Sequence, residues 1–195
     1  MKASVKWITV CAYTIGLFIV TPYLPNLIQA ATSRWSTSGV KYFVLGVEIT
    51  IALLILILAV RILIYKKKKA ALFLISIGSI LVLSFIIYQF IPNPYEFTHL
   101  PEYAVLSMLL LWALTRDKRN SAGAEKEKRI KTAIIKNSYF MSGALTGTIG
   151  TIDEIYQHFL PNRHFTWYDI LLNILGGILG LLIIWGIKDK KQPAL

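Results

Sequence analysis

The chain is 195 residues long, 55% hydrophobic and only 16% charged, with a mean hydropathy of +0.59. That balance excludes an ordinary soluble domain of this size and leaves no room for a second domain beside a membrane bundle. The formal charge of +11 does not imply nucleic acid, because the basic residues sit in short segments between apolar runs and not across a soluble face.

A bilayer span needs roughly 20 mostly apolar residues. In chain order, apolar windows predict helices over Trp7 to Ile28, Phe43 to Ile64, Ala70 to Ile91, Leu100 to Thr115, Thr132 to Ile152 and Ile170 to Ile187. The expected fold is all-α: a polytopic membrane helix bundle of about six transmembrane helices with both termini cytoplasmic. It divides into 1–91 (the first three helices), 92–187 (the last three) and a tail at 188–195. In the first run, Lys2 and Lys6 ahead of the apolar stretch and Ala30 and Ala31 beyond it also fit a cleaved leader. The length of the run and its interruption by Pro22 and Pro25 favour a retained helix. Cys11, the single cysteine, lies in this run and reads as a small core hydrophobe.

Orientation follows from charge. Lys66 to Lys69, Arg116 to Lys131 and Lys188 to Lys191 are strongly basic, and the intervening loops are nearly bare of Lys and Arg. The positive-inside tendency then places all of the 21 basic residues in or beside the cytoplasm except Arg34, Lys41 and Arg163. Trp7, Trp35, Trp112, Trp167 and Trp185 fall near span ends, where an amphipathic ring favours the headgroup layer. The segment Arg116 to Lys131 reads as a solvated connector that also suits contact with anionic lipid.

This topology gathers the remaining polar residues on the outer side: His99, His158 and His164 with Glu96, Glu102, Asp153, Glu154 and Asp169. At about 100° per residue, Gly143, Gly147, Gly150, Glu154, Gln157 and His158 share one face of the fifth helix if it runs on past Ile152. Asp169, Asn173, Gly176, Gly177 and Gly180 share a face of the sixth. Small residues spaced by four let transmembrane backbones approach, so the two seams are expected to face each other. His99, Glu102, Tyr103 and Leu106 form a stripe on the fourth helix, where a carboxylate at the hydrocarbon boundary is costly unless it points inward. Arg163, in the turn between the last two helices, pairs equally well with Asp153, Glu154 or Asp169, or with a ligand's carboxylate or phosphate. His99 with Glu102, and Glu154 with His158, have helical metal-ligand spacing without a full metal motif, so no metal is expected. Glu48 reads as an interface residue or as an intramembrane acid.

Two segments, HLPEYAVLSMLLLWAL from His99 to Leu114 and GTIDEIYQHFLPNRHFTWYDILLNILGGILG from Gly150 to Gly180, resemble the VanZ-like family associated with resistance to teicoplanin-type glycopeptides. The second carries the family's pattern as Asp153, Glu154, Gln157, Pro161, Arg163, Asp169, Asn173, Gly176 and Gly180, and the first carries its His-x-x-Glu-Tyr at His99, Glu102 and Tyr103. Asn162 stands where the family often has glycine, a change the turn tolerates because asparagine also adopts left-handed geometry. Residues 1–91 match only as generic membrane helix.

The resemblance implies a bacterial multi-pass plasma-membrane protein that lowers susceptibility to lipoglycopeptides, with no known catalytic residue. With the stripes above, the expected ligand-binding set is His99, Glu102, Tyr103, Asp153, Glu154, Gln157, Arg163, Asp169 and Asn173. No cofactor is expected. The expected partners are membrane lipids, with a cell-wall lipid precursor or the lipoglycopeptide as candidates, and no nucleic acid. Two other classes remain open at this point. One is a membrane-embedded hydrolase or transferase of phospho- or glycolipids, with Glu154 or His99 as general base and Arg163 steadying an oxyanion. The other is a small lipid transporter with Glu48 and Glu102 as intramembrane stations.

Overall fold

The computed structural model describes residues 3–65, 67–90, 96, 98–115, 124–160, 163 and 165–187. Among these all regular structure is helical: α1 (Ala3–Val20), a short 3-10 turn (Thr21–Tyr23), α2 (Leu24–Tyr65), α3 (Lys67–Tyr88), α4 (His99–Leu114), α5 (Ala124–His158) and α6 (Trp167–Ile187). The all-helical class is as the sequence predicts. Two stretches of the described chain, Ala3–Ser36 and Trp167–Ile187, are long and apolar enough to cross a membrane. By contrast α4 has 16 residues, fewer than a straight span requires.

The boundaries move for identifiable reasons. Pro22 and Pro25 each remove a backbone donor, and the first apolar run passes through a 3-10 turn there in place of one continuous helix. Ser36 breaks α2 with a positive φ of 66°. Its hydroxyl accepts the Gly39 N–H at 3.2 Å, as an N-cap residue does, so the helix that includes the second predicted span starts here and not at Phe43. The connector expected over Arg116 to Lys131 is helical from Ala124 onward. Its 116–123 portion, Pro161, Asn162, His164 and the basic tail from 188 lie outside the described residues, as does the side chain of Glu48.

The core is the trio α4, α5 and α6, with α1 flanking α4 and α3 flanking α6. Contacts fix the directions. Gly176 meets the backbone of Leu100 and Gly180 that of Ala104, so α6 and α4 run the same way. Gly150 meets Asn173 while Gly143 meets Leu181, so α5 runs opposite to α6. Tyr13 bonds the Glu102 carbonyl and Lys6 the Thr115 carbonyl, which sets α1 antiparallel to α4. The start of α1 therefore shares one end of the bundle with the ends of α4 and α6.

Side-chain burial is inverted relative to a soluble bundle. Ile8, Ile15, Leu72, Ile75, Phe85 and Phe140 are exposed, while Ser84, Ser107, Ser138, Ser142 and Thr146 are buried. The Ser142 hydroxyl donates to the Ser107 carbonyl at 2.7 Å, a small-residue polar contact of the kind that joins helices in an apolar medium. Apolar packing fills the spaces between: Phe73, Ile77 and Ile80 of α3 against Leu100 and Leu179, and Val10 of α1 against Tyr103, Leu106 and Leu110.

The two glycine seams do not simply face each other. The α5 seam does meet α6: a Cβ on Gly150 would lie 2.7 Å from the Asn173 Cβ, and one on Gly147 would lie 3.9 Å from Ile174. The α6 seam is divided. Gly177 turns to Thr146 of α5, whereas a Cβ on Gly176 or Gly180 would strike the carbonyl oxygen of Leu100 or Ala104 on α4. Consecutive residues of a helix point about 100° apart, so a glycine doublet serves two neighbours at once.

Candidate polar binding site

One end of the bundle gathers the start of α4, the last turns of α5, the first turns of α6 and residues 163, 165 and 166 between them. Pro101 sits in the first turn of α4, where a missing N–H costs nothing, and lets the helix begin at His99. The i, i+4 step then places His99 and Tyr103 on one buried face. The fifth helix continues to His158, which carries Asp153, Glu154 and Gln157 past the apolar run into the same cluster. Thr166 precedes α6, and its hydroxyl accepts the Asp169 N–H at 3.2 Å and donates to Asp169 Oδ2 at 2.6 Å. This is capping chemistry that turns the Asp169 side chain back towards the bundle.

The hydrogen bonds form a chain across three helices. The Tyr103 hydroxyl and the Gln157 amide both donate to Asp153 Oδ2, at 3.0 and 3.1 Å. Asn173 Nδ2 donates to the Gly150 carbonyl at 3.1 Å, and the Thr166 N–H donates to Glu154 Oε2 at 3.3 Å. Glu154 and Asn173 are fully enclosed. Yet Asp153 Oδ1, Glu154 Oε1, Asp169 Oδ1, Asn173 Oδ1, His99 Nδ1 and Arg163 Nε have no hydrogen-bond partner among the described residues. Buried polar atoms of folded proteins are ordinarily satisfied by protein or ordered water, so an enclosed group of such atoms marks a candidate site for water or a ligand.

Of the expected residues, His99, Tyr103, Asp153, Glu154, Gln157, Arg163, Asp169 and Asn173 are all buried at this end. Glu102 is half-buried and lines a small cavity with Glu96, Thr98, His99 and Arg163. His158 departs from the stripe read from sequence: it is exposed and stands edge-on to Phe159 and Phe165. Arg163 departs too. Its ion pair is with Glu96, Nη1 to Oε1 at 3.6 Å, and not with the acids of α5 or α6. Sequence reasoning left Glu96 and Thr166 out of the site. The signals were present as Glu96-x-x-His99 and as a Thr166-x-x-Asp169 capping pattern.

Acid dominates the electrostatics. The carboxyls of Glu96, Glu102, Asp153, Glu154 and Asp169 share the cluster with Arg163, the one guanidinium among the described residues there. Burial lifts the Glu154 carboxyl to about 7; the Thr166 N–H and Arg163 oppose that rise, while Asp153 and Glu96 add to it. Burial raises Asp153 as well, moderated by the bonds from Tyr103 and Gln157 and by Arg163. Such a pocket suits a cation or a hydroxyl- and amine-rich group better than a bare phosphate, because the guanidinium already answers Glu96.

No family model, curated protein or solved structure matches the chain. The resemblance to the VanZ-like family rests on the two segments quoted above, and the chemistry of the site rests on its own geometry.

Proposed function

We propose that this chain is a VanZ-like, multi-pass protein of the bacterial plasma membrane. In this reading its acid-rich outer pocket binds the polar group of an envelope lipid or of a lipoglycopeptide and so lowers susceptibility to the drug. The observation that carries the reading is the cluster itself: enclosed polar atoms without partners, at one end of a bundle whose outer surface is apolar. In the six-span arrangement this end is exoplasmic and the Lys6 end cytoplasmic, in keeping with the charge asymmetry. An exoplasmic pocket at headgroup depth meets both a lipid precursor and an externally applied antibiotic.

The test uses Glu154→Gln and Arg163→Lys. Burial raises the Glu154 carboxyl to about 7, towards the protonated form that glutamine resembles. Lysine keeps the charge of Arg163 and loses its planar fork. Both variants are expected at wild-type abundance in the membrane with protection against teicoplanin-type drugs lost. Full protection at normal abundance in both would remove the pocket from the function. Loss of abundance in parallel with protection would assign these residues to folding instead.

A further inference from the structure

Among the described residues, the three-residue ligand group includes none of Glu102, Glu154 and His158. It joins His99 of α4 to Glu96, just before that helix, and to Asp169 of α6. One side-chain ligand atom from each of the three lies within 4.8 Å of the other two. All three residues are buried, with His99 6% and Asp169 1% exposed.

We propose that Glu96, His99 and Asp169 hold a divalent transition-metal ion of the Zn2+ type, with an open coordination position facing the small cavity. Two observations support this beyond proximity. His99 Nδ1 and Asp169 Oδ1 are enclosed and have no hydrogen-bond partner among the described residues, and an imidazole nitrogen and a carboxylate oxygen so placed are costly unless something binds them. Glu96 and Asp169 moreover place two like-charged carboxylates in one buried site, which a cation between them offsets.

The dimensions fit. Zinc bonds to imidazole nitrogen and carboxylate oxygen are about 2.0–2.2 Å, so tetrahedral ligand atoms stand roughly 3.4 Å apart. Closing from 4.8 Å asks each atom to move by less than about 1 Å. Two carboxylates and a neutral imidazole balance a dication, and a mixed nitrogen and oxygen set selects zinc-like metals over calcium or magnesium. Supporting contacts orient two of the ligands: Arg163 lies on Glu96 Oε1, and the Thr166 hydroxyl donates to Asp169 Oδ2. The cavity lined by Glu96, His99, Glu102 and Arg163 has a volume of about 40 Å3, which holds one water or one oxygen of a ligand. The metal site is independent of which envelope molecule the pocket serves.

The experiment uses the full chain, purified in mild detergent without a polyhistidine tag, stripped with EDTA and titrated with Zn2+. Metal content, calorimetry and melting temperature are read together. One zinc per chain and a raised melting temperature are expected. His99→Gln and Asp169→Asn should each weaken binding by about 100-fold or more, since even supporting residues of metal sites are worth 10–100-fold. His158→Gln, at an exposed histidine, should bind as wild type does. Folded wild-type protein that takes up neither Zn2+ nor Co2+ would overturn the proposal. So would zinc binding that survives both ligand substitutions. If those two variants do not fold, the visible spectrum of wild-type protein loaded with Co2+ decides. Intense tetrahedral bands support the site, and a weak octahedral spectrum overturns it.

Discussion

Tyr103 joins the apolar core to the polar cluster within one side chain. Its ring is wholly buried, packs with Val10, Leu106 and Leu110, and would stand 3.1 Å from a Cβ at position 150, where Asn173 Cβ at 2.7 Å is the closer obstacle. Its hydroxyl ends on the Asp153 carboxylate. Tyr103→Phe keeps the packing and takes a donor from a buried acid, which costs about 1.5–3 kcal/mol. Tyr13→Phe removes a bond to a backbone carbonyl on a half-buried side chain and should cost about 0.5–1.5 kcal/mol. Unfolding in detergent by heat or denaturant checks the order, and equal losses would contradict it. At this scale much was legible in the sequence. Helical spacing predicts that His99 shares a face with Tyr103, and Glu154 with Gln157, because helical geometry is fixed; His158, expected on the second face, is exposed. Glu96 and Thr166 escaped because they lie outside the regular helices, where no period says which way a side chain turns.

Between helices, pattern alone reveals that a face is built for close approach and leaves open what approaches it. The α5 stripe has α6 for a partner, as expected, but Gly176 and Gly180 of α6 press on α4 instead. Nothing in the spacing distinguishes the two outcomes, since the choice depends on the angle at which a third helix enters. The geometry gives a sharp test. A Cβ on Gly177 would stand 3.4 Å from the Thr146 Cβ, close to the separation of about 3.8 Å that a disulfide needs. In a Cys11→Ala background, Thr146→Cys with Gly177→Cys should therefore cross-link under mild oxidation. Thr146→Cys with Gly176→Cys should not, because Gly176 turns to α4. Cross-linking confined to the second pair would require α6 to be rotated about its axis.

Across the whole molecule, chemistry is sorted to opposite ends. The cluster of acids closes one, and Lys6 closes the other, donating to the Thr115 carbonyl at 3.2 Å and lying 5.5 Å from the centre of the Trp112 ring. A cation at the C-terminal end of α4 satisfies its last carbonyls and opposes its dipole. If the acidic end is exoplasmic, Thr98→Cys in intact cells should react with a membrane-impermeant thiol reagent, whereas Lys67→Cys and Ser121→Cys should react only after lysis. The reverse pattern would invert the protein in the membrane. The overall helical class was legible in the apolar composition. The number of crossings was not, because α4 is shorter than a straight span and α2 is interrupted at Ser36. Lys6 has a further meaning. The segments that resemble the VanZ-like family are all C-terminal, yet the lysine that seals α4 comes from the opposite end of the chain, as does Tyr13 on the same helix, and α3 supplies the apolar wall against α6. The motif-bearing half is thus not a self-sufficient module. Detached or grafted without α1 and α3, it would expose buried helix faces and uncapped carbonyls, so a fragment of α4 to α6 alone is expected to be less stable than the entire bundle.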